Sequence, residues 1–155
     1  MDTLSPAHTC HHARIRLVTT RPTDFVDLTD HLTRVLAEAG VETGVVNVQT
    51  THTTTAVIVN EGEPLLLDDF RDLLERAAPR AGAYRHDDLA RRQDVPADEP
   101  RNGHAHCRAL QLPASTLLNV VAGRLALGRW QRVFLLDLDG PRTREVSVVV
   151  MGTAR

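Results

Sequence analysis

Residues 131–150 read QRVFLLDLDGPRTREVSVVV, and this stretch decides the fold. Val133 to Leu138 is apolar on both faces, the pattern of a central strand covered on two sides. Asp139-Gly140-Pro141-Arg142 is rich in turn residues and predicts a hairpin turn. From Glu145 to Val150 apolar and polar residues largely alternate, with Val146, Val148 and Val150 facing inward, so a second strand returns.

Upstream of it, Leu117 to Val121 reads as a strand, Gly123 as a turn and Leu125 to Leu127 as a continuation. Val45 to Val48 and Ala56 to Val59 are short β-branched runs of strand type. Ala13 to Thr20 alternates, Ile15 and Leu17 opposing Arg14 and Arg16, and predicts a half-exposed strand. Arg21-Pro22 breaks it. Thr23 or Asp24 then caps a helix whose one face carries Phe25, Leu28, Leu32, Val35, Leu36 and Ala39, ended by Gly40. Pro64 fits the first turn of a second helix, with Leu66, Phe70, Leu73, Leu74 and Ala77 as its buried face and Pro79 as its stop. The sum is an α+β fold: about six or seven strands in a largely antiparallel or mixed sheet, covered by two main helices. Residues 13–155 form one domain, and residues 1–12, polar and without periodicity, form a flexible arm. Cys10-His11-His12 in that arm offers metal-ligand types but no fourth ligand.

Composition narrows the chemistry. The chain has 155 residues, 42% of them hydrophobic and only 3% aromatic, so its core is aliphatic. All 18 basic residues are arginine. Schiff-base chemistry and a lysine general base are therefore excluded, and any anion must be held by Arg, His, hydroxyls or backbone N–H groups. A net charge of -2 argues against nucleic-acid or anionic-membrane partners. Met1 to Arg14 has no apolar run and nothing approaches a membrane span, so a cytoplasmic protein is the expectation.

Candidate chemical groups are scattered. His52 lies in the threonine run Thr50-Thr51-His52-Thr53-Thr54-Thr55, whose hydroxyls suit an anion or an oriented imidazole, or simply a polar edge strand. His104 and His106 share one face of a strand but diverge by about 200° on a helix. The stretch reads as a short helix, capped by Asn102 and ended by Pro113. His86 sits in a polar loop, residues 80–103, long enough to be functional. Three imidazoles and a carboxylate suit a divalent metal, zinc or magnesium. Glu61, after Asn60, is the nearest plausible carboxylate, or merely an acidic residue at a helix start. Ser115, Thr116 and Arg124 are candidates for a phosphate pocket. Trp130 either walls a ring-binding pocket or fills the core. Cys107 is expected to be a buried, inert thiol, with a nucleophile as its remote alternative. No Walker loop, G-x-G-x-x-G or G-x-S-x-G elbow is present.

Taken together, Thr51-His52-Thr53-Thr54 with Asn60-Glu61, Tyr84-Arg85-His86-Asp87, Asn102-Gly103-His104-Ala105-His106, residues 123–131 and Asp139-Gly140-Pro141-Arg142 resemble the YjbQ family, the secondary thiamine-phosphate synthase family. The likeness runs from about Gly44 to Gly152. It implies a compact α+β homotrimer with a site around His52, His86 and His106, with Asn60, Glu61 and Ser115 nearby and His104 as a further possible ligand. It also implies joining of a pyrimidine diphosphate to a thiazole phosphate with loss of pyrophosphate. The chain departs from the family pattern at Pro113-Ala114-Ser115, where Leu-Gly-Pro-Ser is usual, at Arg108 in place of lysine, and at Asn119 in place of proline.

Two readings follow. In the first the protein is an enzyme acting on phosphorylated small molecules. His52, Glu61, His86 and His106 then do chemistry, and Thr53, Asn60, Ser115, Arg124 and Trp130 hold substrate. In the second it is a non-catalytic homotrimeric module for a small anion or metal. The first requires His52, His86 and His106 to converge.

Overall fold

The computed structural model describes residues 8–154. Eight strands and three helices follow the order β1 (His8–Val18), β2 (Asp24–Asp27), α1 (Thr29–Ala39), β3 (Val41–Thr50), β4 (Thr55–Glu61), α2 (Pro64–Ala77), α3 (Gly103–Ala109), β5 (Ser115–Val121), β6 (Arg124–Leu125), β7 (Gln131–Asp137) and β8 (Thr143–Ala154). The α+β class and the antiparallel pairing stand as expected. The strands, however, divide between two sheets. One has the order β1-β8-β3-β5-β6 and the other β2-β7-β4.

β7 explains the layering. Val133 and Leu135 join the main core with Ile15, Val46, Val48 and Val148, together with Leu32, Val35 and Leu36 of α1. Leu136, with Leu138 just past the strand, turns the other way and meets Ala56, Leu74 of α2 and Ala105 of α3. The smaller sheet is thus covered on both faces, which is why the strand is apolar throughout. Each fully buried aliphatic side chain contributes about 1.5–3 kcal/mol relative to exposure.

Several expectations shift. The Asp139–Arg142 turn is not a hairpin: it carries the chain from the smaller sheet to the larger one, through a cis Gly140–Pro141 bond. The first helix starts at Thr29 rather than just after a cap at Thr23 or Asp24, because Asp24–Asp27 pairs in register with Phe134–Asp137 of β7. Gly40 does end α1, with φ of 65°. Residues 8–12 of the expected arm are strand, because β8 runs on to Ala154 and offers Val149–Thr153 as backbone partners. The rest of that arm lies outside the described residues. On α2 only Leu74 is buried, while Leu73 is 56% exposed. Among the described residues no helix is long and apolar enough to cross a membrane.

Candidate functional site

The long loop and α3 bring two of the predicted imidazoles together. His86 stands on a 3-10 turn, Arg85–Asp87, and His106 on α3. Their ring centroids are 4.7 Å apart, edge to face. His86 Nε2 is buried and finds no hydrogen-bond partner, and it stands 3.8 Å from Glu99 Oε1. Glu99 is itself held by Arg92 Nη1 at 2.6 Å. Burial pushes the His106 imidazole below its ordinary pKa, and the neighbouring His86 adds to this, against the pull of Asp139 and Glu99. His106 is therefore neutral at pH 7, with one nitrogen to donate and one to accept.

His104, also on α3, has its ring 6.4 Å from that of Tyr84. It is 2% exposed, and neither ring nitrogen has a partner. Burial lowers its pKa, with Arg108 and Arg80 adding to the effect. Asn102, at the start of α3, donates from Nδ2 to Asp139 Oδ2 at 2.8 Å, while its Oδ1 is buried and unpartnered. Asn102 holds the cap position, but its side chain does not cap the helix. Four polar atoms without partners thus crowd around the start of α3. A buried polar group left without a partner costs about 1–3 kcal/mol.

The helix is fixed from below. Arg108 is buried and donates to Ala78 O at 2.9 Å and Thr23 Oγ1 at 3.2 Å, and it pairs with Glu75. Gly103 gives close access: a Cβ there would lie 2.5 Å from Tyr84 Cβ.

His52 does not join them. It lines a separate hollow of about 310 Å³ with Arg16, Thr143, Arg144 and Glu145. The Glu145 backbone N–H donates to His52 Nε2 at 3.0 Å, which assigns the ring proton to Nδ1. Burial and then Arg144 lower its pKa. The surrounding threonines are committed to structure rather than to an anion cradle. Thr50 and Thr55 hydroxyls bond each other, and Thr54 accepts from Arg144 Nη2 at 3.2 Å. Thr53 is exposed.

The expected metal triad of His52, His86 and His106 therefore does not form within one chain. Among the described residues no three His, Cys, Asp or Glu side chains gather to hold a metal. The imidazole pair supplies two ligands and its nearest carboxylate is tied to Arg92, so these residues do not make a zinc or magnesium site by themselves.

Other candidates disperse for reasons of strand geometry. β4 starts beside the His52 turn and ends at Glu61, paired with Gln131, so Glu61 lies roughly 20 Å along the strand from that turn. Asn60 accepts the Glu61 N–H through its own Oδ1 and borders an apolar hollow of about 410 Å³ with Phe25, Ile58, Phe70 and Leu73. Ser115 opens β5, while Arg124 pairs with Val121 at its far end, so no phosphate pocket unites them. Trp130 is 61% exposed, with the Arg129 guanidinium 4.6 Å over its ring, and is not core. Cys107 is exposed rather than buried. Sequence reasoning missed Asp139, Glu99 and Arg92. Asp139 was absorbed into a turn motif, and the other two carried no spacing signal.

Comparison with known proteins agrees with this architecture. A UPF0047 protein of Archaeoglobus fulgidus is 39% identical over 134 residues, covering 86% of this chain and 96% of its own. The crystal structure of a YbjQ-like protein from Sulfolobus solfataricus superposes with a TM-score of 0.85 at 28% identity, covering 94% and 99% of the two chains. A protein from Aeropyrum pernix, 33% identical, gives 0.81 with coverage of 92% and 98%. The family model described as "UPF0047 protein YjbQ-like" matches residues 13–153, and the chain belongs to that family.

Proposed function

We propose that the protein is an enzyme acting on phosphorylated small molecules, with His106 and His86 at its reacting centre; the three-imidazole convergence that this reading required is not met within one chain, so the proposal keeps the acid–base pair and leaves out His52. The observation that supports this best is the His86–His106 contact: a neutral imidazole against a second ring whose buried Nε2 has no partner. Such a pair offers donor and acceptor nitrogens to a substrate at a half-buried position. The family resemblance supplies the reaction: a pyrimidine diphosphate and a thiazole phosphate combine to give thiamine phosphate. In that step the bond to the diphosphate breaks, pyrophosphate leaves with the electron pair, and a new bond forms to the thiazole. The charge to be stabilised is on the leaving group, which suits N–H donors and guanidinium groups.

We further propose that three copies assemble. Leu65, Leu73, Leu117 and Val121 are each more than half exposed, and the apolar hollow beside Asn60 is open. Leu73 lines that hollow, and an open apolar hollow of this kind supports an interface there.

The test is incubation of the purified protein with both phosphorylated substrates, reading thiamine phosphate and pyrophosphate. Product formation that falls about a hundredfold or more in His106→Gln supports the reading. Release of pyrophosphate at the buffer rate sinks it, and tight substrate binding without turnover would favour the anion-binding module. Mass in solution reads the trimer, and metal content reads whether assembly completes a zinc or magnesium site.

A further inference from the structure

We propose that the hollow lined by Arg80, Arg85, Arg91 and Arg101 binds the linked phosphates of a small molecule. The hollow has a volume of about 900 Å³ and is bordered by Arg85 and Asp87 of the Arg85–Asp87 turn. That size is within the range of about 300–1,000 Å³ usual for small-molecule pockets. Its walls carry these four guanidinium groups against two carboxylates, Asp87 and Asp88, leaving a surplus of two positive charges.

The carboxylates are already engaged. Asp87 Oδ1 accepts the Gly103 backbone N–H at 2.8 Å, and Asp88 lies 3.9 Å from Arg91 Nε. By contrast, the side chains of Arg80, Arg85 and Arg101 have no hydrogen-bond or ion-pair partner among the described residues. In the same chain Arg92, Arg108, Arg132, Arg142 and Arg144 are each matched to a carboxylate. Arg80, Arg85 and Arg101 are exposed and border one hollow, and like charges gathered there favour an anion between them. A planar guanidinium fork matches phosphate oxygens two at a time, and the chain has no lysine to share the task.

Several guanidinium groups on three separate stretches of chain suit linked phosphates better than one. The wall itself is held in place: the Tyr84 hydroxyl donates to Pro79 O at 2.7 Å. Arg85 and His86 are neighbours on one turn, so this hollow and the imidazole pair flank the same three residues. Neither His86 nor His106 lines the hollow, so the remainder of a bound diphosphate has to pass the Arg85–Asp87 turn to meet them. The inference rests on the reading that the substrate is phosphorylated, and it places the phosphates away from Ser115 and Arg124.

The experiment is calorimetric titration with inorganic pyrophosphate and inorganic phosphate, on wild type, the double variant Arg85→Gln/Arg101→Gln, and Arg34→Gln as a distant control. Both substituted arginines are exposed, and a thermal melt confirms that the variant folds. Pyrophosphate is expected to bind saturably and at least about tenfold tighter than phosphate, and to weaken by about tenfold or more in the double variant only. Equal affinity for the two anions, or unchanged pyrophosphate binding in the double variant, overturns the inference. Turnover in wild type with an unchanged KM in the double variant overturns it while leaving the proposed reaction standing. Pyrophosphate binding that the double variant loses, in a protein with no turnover, does the reverse.

Discussion

Two polar regions lie inside this protein, and they are built in opposite ways. Where the chain passes from β7 to β8, Arg144 donates from Nε and Nη2 to both oxygens of Asp137 at 3.0 and 2.6 Å. Thr19 and the Asp139 backbone N–H complete the carboxylate, and Thr54 accepts from Arg144. Both charges are buried and paired. Around the start of α3, Asn102 Oδ1, His86 Nε2 and both nitrogens of His104 have no partner. The first region is complete and holds two sheets in register. The second has four buried polar atoms without a hydrogen-bond partner, and the proposed chemistry rests on that contrast.

The sharpest way to break this comparison is Asp137→Ala. It strands the Arg144 guanidinium and is expected to cost about 3–5 kcal/mol, read as a lower denaturant midpoint with an unchanged slope. A loss under about 1 kcal/mol would show that the network is not structural. His106→Gln is expected to remove about a hundredfold in turnover, near 2.7 kcal/mol of barrier, with folding stability barely altered. Equal losses in both measurements would place His106 with the structural network instead.

Next in size is a dependence on pH. The imidazoles of His52, His104 and His106 are all lowered below 6.5, so the unfolded chain binds protons that the folded chain refuses. Stability is therefore full above about pH 7 and falls as the pH drops through 6.5, continuing downward until the folded-state values are reached. Denaturation midpoints at pH 7.5, 6.5 and 5.5 check this, and a flat series refutes it. The smallest expected effect is the most diagnostic. His104→Leu replaces a side chain with two unpartnered nitrogens by an apolar one, and stability is expected to change by less than about 1 kcal/mol or to rise. A large loss would mean that the nitrogens are bonded in solution.

Much of the fold is legible in local patterns. β7, β8 and both flanks of the threonine run follow from which positions are apolar. What periodicity cannot say is which sheet a strand joins. Phe25 and Leu28 fit a helical face, yet Phe25 pairs with Leu136 because β7 offers a free edge there. Of the site, His86 and His106 were legible as residue types, and the short helix at His106 as a pattern. The isolation of His52 was not, because it depends on a hydrogen bond from Glu145, 93 positions away. The unmatched arginines were equally hidden, since a lack of partners is a property of space and not of order along a chain.

Arg108 gives α3 a single rotational setting. Its guanidinium reaches acceptors on three stretches of chain, one at Thr23, one at Ala78 and one on α2. A compact ammonium in its place would keep the charge but anchor fewer of those stretches at once. The imidazoles would then tilt as the helix rolled, and damage done at a rivet far from any substrate would be recorded as impaired chemistry.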